Sequence, residues 1–337
     1  MGLKNLIIPK DYKNILGLIE TQKAIKLIKD NLERILAENL NLIRVSAPMT
    51  VRPETGLNDD LTGRERAVTF DVPDAGFDVQ IVQSLAKWKR YALSYYGFDE
   101  NSGIYTDMNA LRRDEVLDNL HSIYVDQWDW EKIISREERN IEYLKSTVKK
   151  IVDSLRATEN ILNSNFDLGS SLFNEEPYFI TSQELLDKYP DLNSHNREDK
   201  ICKKHGIVFI IGIGAPLSDG KPHDTRAADY DDWSLNGDLL VWYPLLNRSV
   251  ELSSMGIRVD EDALRRQLLL SGSEYKSGMS FHKSLLSGEL PLTIGGGIGQ
   301  SRVCMLMLQK AHIGEVQASV WDDKTVKSCL SNGINLL

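Results

Sequence analysis

Cysteine is scarce in this chain. Cys202, Cys304 and Cys329 are odd in number, far apart, and fit neither a disulfide framework nor a CxxC metal site, so a reducing cytoplasm is the expected compartment. No apolar run approaches the ~18 residues of a membrane span, and Met1 to Lys10 carry no basic stretch leading into an apolar one; no membrane partner is expected. Positive charge is short as well. Forty Lys and Arg against 49 Asp and Glu leave −9, a field that repels phosphate polymers, so nucleic acid is not an expected partner. With only 10 Pro and 23 Gly beside 42% hydrophobic residues, disorder and fibres are excluded and a globular core is expected. Residues 1–337 show no internal repeat or low-complexity linker and read as one domain.

Several familiar motifs are also missing. None of the six histidines has HExxH spacing, no GxxxxGK[ST] occurs, and Gly212-Ile-Gly214-Ala-Pro216 puts proline where a phosphate loop needs free amides. His223-Asp224 reads as loop polarity, because adjacency in sequence does not create a catalytic contact. The run Gly295-Gly-Gly-Ile-Gly299 precedes an apolar helix, Gln300 to Gln309. It is either a helix start facing a nucleotide, with Arg302 one turn in, or a structural turn. A doubly wound dinucleotide fold is excluded, since only 38 residues follow Gly299.

What is present has clear periodicity. Apolar residues from Tyr12 to Leu40 recur at three and four, predicting a long helix, and Asn41 to Pro48 reads as a strand. Further strands are expected at Ala67–Val72 and Phe77–Gln83, then a helix at Ser84–Tyr96 with Ser84 as its cap. His121 to Glu131 alternates: Ile123, Val125, Gln127 and Asp129 share one face, Tyr124, Asp126, Trp128 and Trp130 the other. A helix at Ser135–Asn163 and strands at Ile207–Ile213, Leu239–Tyr243 and Val250–Ile257 complete the reading. Strands often follow strands, which favours an α+β fold with a largely antiparallel sheet.

Charged residues supply the candidate chemistry. Asp229, Asp231 and Asp232 form an acidic run open to reading as a solvated loop; Asp238 precedes an apolar run, and Glu251 and Ser253 are expected on one strand face. Acids on strands suggest a divalent metal bridging phosphates, or merely a charged sheet edge. Lys87, Lys89 and Arg90 read, on periodicity alone, as a solvated helix face.

Taken together, Gln83-Ser-Leu-Ala-Lys-Trp-Lys-Arg90, Ala110-Leu-Arg112, His121-Ser-Ile-Tyr-Val-Asp-Gln-Trp-Asp-Trp-Glu131, Asp229-Tyr-Asp-Asp-Trp233, Asn236-Gly-Asp238, Glu251-Leu-Ser-Ser-Met-Gly-Ile-Arg258 and Ile294-Gly-Gly-Gly-Ile-Gly-Gln-Ser-Arg302 closely resemble ammonia-dependent asparagine synthetase, over roughly Tyr12 to Trp321. That family is similar to the catalytic domain of class II aminoacyl-tRNA synthetases. The resemblance implies an antiparallel sheet flanked by helices and a homodimer formed through the first helix and the Pro48 strand.

It also implies ATP and Mg²⁺, with L-aspartate and ammonia as substrates and β-aspartyl-AMP as intermediate. By resemblance, Arg112 and Arg302 meet ATP, and Asp238, Glu251 and Ser253 hold nucleotide, the first two through metal. Lys89, Gln127 and Asp129 line the aspartate pocket, with Ser84, Arg226, Asp231, Ser254 and Arg258 beside it. Asp59 is the expected base that takes a proton from ammonium, and Asp60 its competitor. The loop between Trp233 and Leu235 is shorter than in well-known bacterial members. A tRNA synthetase, a glutamine-using synthetase and a regulatory paralogue are the alternatives. The acidic balance, Gly2 in place of cysteine, and the retained Arg112, Asp238, Glu251 and Arg302 weigh against each in turn.

Overall fold

The computed structural model describes residues 5–59, 61, 65–169 and 171–337. Helix α1 (Leu18–Leu40) buries Ala24, Ile28, Leu32, Leu36 and Leu40, an i,i+4 stripe. It ends at Asn41, whose φ of 59° is left-handed. The expected start at Tyr12 is too early; there the Tyr12 hydroxyl donates to Glu315 at 2.9 Å. Strands β1 (Leu42–Arg44), β2 (Thr50–Val51), β3 (Thr69–Val72) and β4 (Phe77–Ile81) follow, and β2, β4 and β3 make a small antiparallel sheet.

Helix α2 (Ala86–Tyr96) leads to β5 (Gly103–Leu111) and β6 (Tyr124–Ile133). Leu85, not Ser84, occupies the cap position of α2; Ser84 Oγ accepts the Ala86 amide at 3.2 Å. Strand β5 was not expected, because it is largely buried on both faces and lacks the alternation that marks a half-exposed strand. Then come α3 (Ile141–Asn165), capped by Asn140, β7 (Tyr178–Thr181), α4 (Ser182–Lys188), α5 (Ser194–His205) and β8 (Ile207–Ile211). The long hairpin of β9 (Asp231–Tyr243) and β10 (Arg248–Arg258) precedes α6 (Glu261–Ser271), α7 (Ser280–Leu286), β11 (Thr293–Gly299), α8 (Gln300–Met307) and α9 (Asp323–Ser331); β9 runs unbroken through Trp233 to Leu235, where a short loop was expected. Helix α9 follows α8 and is the last element among the described residues. Helix α9 is capped by Asp322, whose carboxylate accepts the Lys324 and Thr325 amides.

The main sheet has eight strands in the order β1-β5-β6-β11-β10-β9-β8-β7. Its two edge pairs are parallel and the six central strands antiparallel, as expected of a largely antiparallel α+β fold. Helices α1 and α3 cover one face, over Trp128, Trp130, Phe209 and Leu239. On the opposite face, α5 packs on Val208, Ile210 and Leu240 at one end, and α2 packs on Ile104 and Ile133 at the other. Between them only stretches of β6, β11, β10 and β9 are left uncovered.

The α1–α3 layer supplies much of the apolar burial. Leu155→Ala, in a fully buried site of α3, is expected to destabilise the fold by about 2–5 kcal/mol in denaturant titration. Leu269→Ala, on an exposed face of α6, should change stability by no more than about 0.5 kcal/mol.

Candidate active site

The uncovered stretch of sheet is the floor of a cleft of about 480 Å³. The pleat of β6 sends Gln127, Asp129 and Glu131 to this side and Trp128 and Trp130 into the core, as the alternation predicted. Opposite them on β11, Gly299 pairs with Gln127, Gly297 with Asp129 and Gly295 with Glu131. A Cβ on Gly295 would sit 2.0 Å from Glu131 Oε2 and 2.5 Å from an Arg258 guanidinium nitrogen. One on Gly297 would sit 2.3 Å from Gln127 Oε1. The glycine run is thus strand, neither a turn nor a helix-start phosphate cradle. Its missing side chains make room for the polar ones of neighbouring strands.

Those polar groups form one buried network. Glu131 accepts from Arg258 Nε at 2.9 Å, from a second Arg258 nitrogen at 2.7 Å and from Thr293 Oγ1 at 2.7 Å, and lies 3.7 Å from Lys89 Nζ. Lys89 also donates to Asp129 and to the carbonyls of Trp130 (2.9 Å) and Gly296 (3.1 Å), while Arg258 reaches Asp231. Burial lowers the Lys89 pKa despite the carboxylates beside it. Burial alone would raise Glu131, but Arg258 and Lys89 hold its carboxyl below the usual range. At Asp231 burial prevails and the carboxyl is pushed up, against Arg258 and Arg226. Glu131 received no role from sequence, although the same alternation that selected Gln127 and Asp129 continues to it.

Two bland readings are overturned. Lys87, Lys89 and Arg90 are not a solvated helix face: all three are buried, because α2 lies directly on the sheet. Arg90 donates to the carbonyls of Pro291 (2.8 Å) and Val259 (2.6 Å). The run Asp229, Asp231 and Asp232 is not a solvated loop, since β9 begins at Asp231 and all three acids are buried.

At the other end of the cleft, Arg112 follows β5. Its contacts are distant, 3.5 Å to the Gln83 carbonyl and 4.0 Å to Glu115, and its buried Nε has no partner. Arg302, on α8, donates to the Glu251 carbonyl at 2.9 Å. Arg226 contacts both Asp238 oxygens, at 2.7 and 2.6 Å. Burial pushes the Asp238 carboxyl up to about 7; Glu251 and Asp224 act in the same direction, and Arg226 opposes them.

The expected shared face of Glu251 and Ser253 does not form. A bulge at Leu252 shifts the register, so that Glu251 pairs with Leu240 while Ser253 pairs with Leu239, on the core side. Ser253 is buried, its Oγ lacks a partner, and it does not line the cleft. Ser254, opposite Asp238, lines the cleft in its place.

Carboxylate oxygens are the donors that Mg²⁺ favours. Glu251 fits, with its side chain 41% exposed on the cleft wall. Asp238 fits once Arg226 yields an oxygen. Among the described residues no group of three or more His, Cys, Asp or Glu is arranged to hold a metal, so ligand phosphates have to complete the shell of such an ion.

Asp59 is buried at the cleft edge. Asn58 Oδ1 accepts the Gln83 amide at 2.9 Å, and Gln83 Nε2 donates to the Asp59 carbonyl at 2.9 Å, so two hydrogen bonds clamp this loop to the start of α2. Asp59 Oδ1 accepts the Leu61 amide at 3.0 Å, a local role that an asparagine would also fill. Asp60 lies outside the described residues. His223 does not engage Asp224; it pairs with Glu198 at 2.9 Å.

The cleft thus gathers Asp59, Ser84, Lys89, Arg112, Gln127, Asp129, Arg226, Asp231, Glu251, Ser254, Arg258 and Arg302, with Asp238 behind Arg226. The aspartate-ammonia ligase family profile matches residues 19–333. An aspartate–ammonia ligase of Clostridium perfringens is 59% identical over 99% of this chain and 100% of its own length. One of Bacillus cereus is 54% identical over 96% and 99%. Among solved structures, asparaginyl-tRNA synthetase of Pyrococcus horikoshii complexed with asparaginyl-adenylate aligns over 88% of this chain and 68% of its own, with a TM-score of 0.62 at 15% identity. Asparaginyl-tRNA synthetase of Entamoeba histolytica aligns with a TM-score of 0.62 over 89% and 67%, also at 15% identity. The solved structures share the fold, a class II synthetase-like sheet flanked by helices; the match over nearly the full length to curated relatives carries more, and by it the chain belongs to the aspartate-ammonia ligase family.

Proposed function

We propose that the protein joins ammonia to the side chain of L-aspartate using ATP, giving L-asparagine, AMP and pyrophosphate through β-aspartyl-AMP. One observation carries the reading beyond family membership: a single cleft combines a buried set of opposite charges matched to an amino acid with arginines matched to a polyphosphate. Lys89 and Arg258 answer the substrate carboxylates, and Asp129 and Asp231 its ammonium group. Gln127 and Ser84 supply further polar contacts.

In the first step an aspartate side-chain oxygen attacks the α-phosphorus, and pyrophosphate leaves with the electron pair of the broken P–O bond. Negative charge grows on phosphate oxygens, where fixed cations act most strongly. Arg112 and Arg302 both lack a close carboxylate, their nearest lying at 4.0 and 3.9 Å; Arg112 is assigned to the α-phosphate and Arg302 to the nucleotide at the β10–α8 corner. Mg²⁺, held through Glu251 and Asp238, supplies further charge neutralisation when bound. In the second step ammonium gives a proton to Asp59, the nitrogen pair bonds to the acyl carbon, and AMP leaves as a phosphate anion while a second proton is released. Burial and the Asp59 charge raise the Tyr230 pKa well above its usual value, so this neighbouring phenol stays protonated and does not compete as the base.

A homodimer belongs to the proposal. Leu18, Ile19, Ile43 and Met49 are all more than half exposed at the start of α1 and around β1 and β2, where a second copy would cover them. Cytoplasmic location fits three free, buried cysteines, and among the described residues no helix is long and apolar enough to cross a membrane.

Purified protein given aspartate, MgATP and ammonium is expected to yield equal amounts of asparagine and AMP, with glutamine a poor substitute; chromatographic detection of ADP in place of AMP refutes the mechanism. Arg112→Ala should slow aspartate-dependent ATP–pyrophosphate exchange by about 10²-fold or more, the effect of removing one preorganised donor. Asp59→Asn should retain that exchange and slow asparagine formation by about 10²- to 10⁴-fold. Raising the pH supplies free ammonia and should partly restore the Asp59 variant, as followed by rate against pH.

A further inference from the structure

A smaller cavity, of about 200 Å³, adjoins the main cleft, and Asp59 and Glu65 line both. Its rim includes exposed Pro53 and Tyr275, and its floor the buried Asp59, Gln83, Lys87 and Asp229. At about 30 Å³ of liquid volume per water, the space suits a few water-sized molecules and excludes a nucleotide.

Two features of the lining point to a small N–H donor. Gln83 is 1% exposed and its Nε2 is committed to the Asp59 carbonyl, yet its Oε1 has no partner. A buried carbonyl oxygen without a donor is unfavourable and is relieved by a ligand that brings one. The charges point the same way. The lysines are tied down, since Lys87 (3.0 Å) and Lys276 (3.4 Å) both converge on Asp229 Oδ2, where His282 Nε2 also lies at 3.0 Å. Among the described residues of the lining, Asp59, Glu65 and Asp229 outnumber Lys87 and Lys276 by one charge. Ammonium carries four N–H donors, no acceptor and a positive charge, and so matches this lining; an anion or an apolar molecule does not.

Resting on the ligase reading above, we infer that this cavity is the ammonium site, with Gln83 Oε1 and the Asp59 carboxylate as its acceptors. The nucleophile then arrives through a mouth of its own while aspartate and ATP occupy the main cleft, and meets the acyl carbon at Asp59, which lines both spaces. Asp59 faces ammonium from one side and the adenylate from the other, which places the proton acceptor between them.

The test uses the full chain with two substitutions in the smaller cavity, Gln83→Met, which removes the acceptor together with the Nε2 donor that holds the Asp59 carbonyl, and Ala67→Phe, which fills the space and leaves Gln83 in place. Initial rates are measured against ammonium chloride at saturating aspartate and MgATP, alongside aspartate-dependent ATP–pyrophosphate exchange, which needs no ammonium and reports an intact cleft. The expected result is a rise of about tenfold or more in the KM for ammonium in either variant that retains exchange. Unchanged ammonium KM with normal exchange in both variants overturns the ammonium site and leaves the ligase reading standing. Absence of aspartate-dependent exchange in the unaltered protein overturns the ligase reading and the inference with it. Loss of exchange in both variants also overturns the inference, because the two spaces would not then be separable.

Discussion

A carboxylate removed from water organises this cleft. Glu131 lies at the middle of the sheet, where an uncompensated charge would cost several kcal/mol. It is tolerated because Arg258 grips both of its oxygens, Thr293 donates to one and Lys89 stands nearby. The consequence reaches beyond stability. With two nitrogens engaged by Glu131, the guanidinium of Arg258 is fixed in plane and its remaining nitrogen is aimed at Asp231. Lys89 is likewise held at Asp129 by two backbone carbonyls. The charges assigned to the amino acid are thus aligned before a substrate arrives, which is the preorganisation that electrostatic catalysis requires.

Two departures from a regular sheet make the alignment possible. The first is the bare β11 strand. Any side chain at Gly295 would occupy the place of the Glu131–Arg258 pair, and any at Gly297 that of Gln127. The second is the bulge at Leu252. By inserting one residue into β10 it keeps Glu251 on the cleft side and also brings Ser254, Gly256 and Arg258 there, sending Ser253 to the core. Without it, the residues after Leu252 would exchange faces and Arg258 would point away from Glu131.

The cleft has two unlike ends for a related reason. The floor is built on central strands, where Glu131, Arg258 and Lys89 are each held by several partners, while one oxygen of Asp129 is left without one. The Arg112 end is built where β5 gives way to a turn, and there the guanidinium is left loosely engaged. Rigid positions suit recognition of a small zwitterion; a cation without a close carboxylate suits charge that appears only in the transition state. The Asp59 loop falls between these extremes, since it is irregular in backbone yet clamped through Asn58 and Gln83.

Local periodicity was sufficient for much of the fold and for part of the site. The i,i+4 stripe of α1 and the alternation of β6 depend only on neighbours in the chain, so helix, strand and the sidedness of Gln127 and Asp129 were legible from residue order. The motif resemblance added roles for residues scattered between Asp59 and Arg302. Tertiary structure decided the rest, because burial is a property of what packs on top. The basic face of α2 became an interior charge cluster when the helix settled on the sheet, and the acidic run at Asp229 became the buried lead into β9. Ser253 and Ser254 exchanged faces through a bulge with no sequence mark, since the extra residue in β10 has meaning only against the register of β9. The central place of Glu131 likewise awaited the fold, which alone brings Arg258 and Thr293 to it from sequence positions far removed.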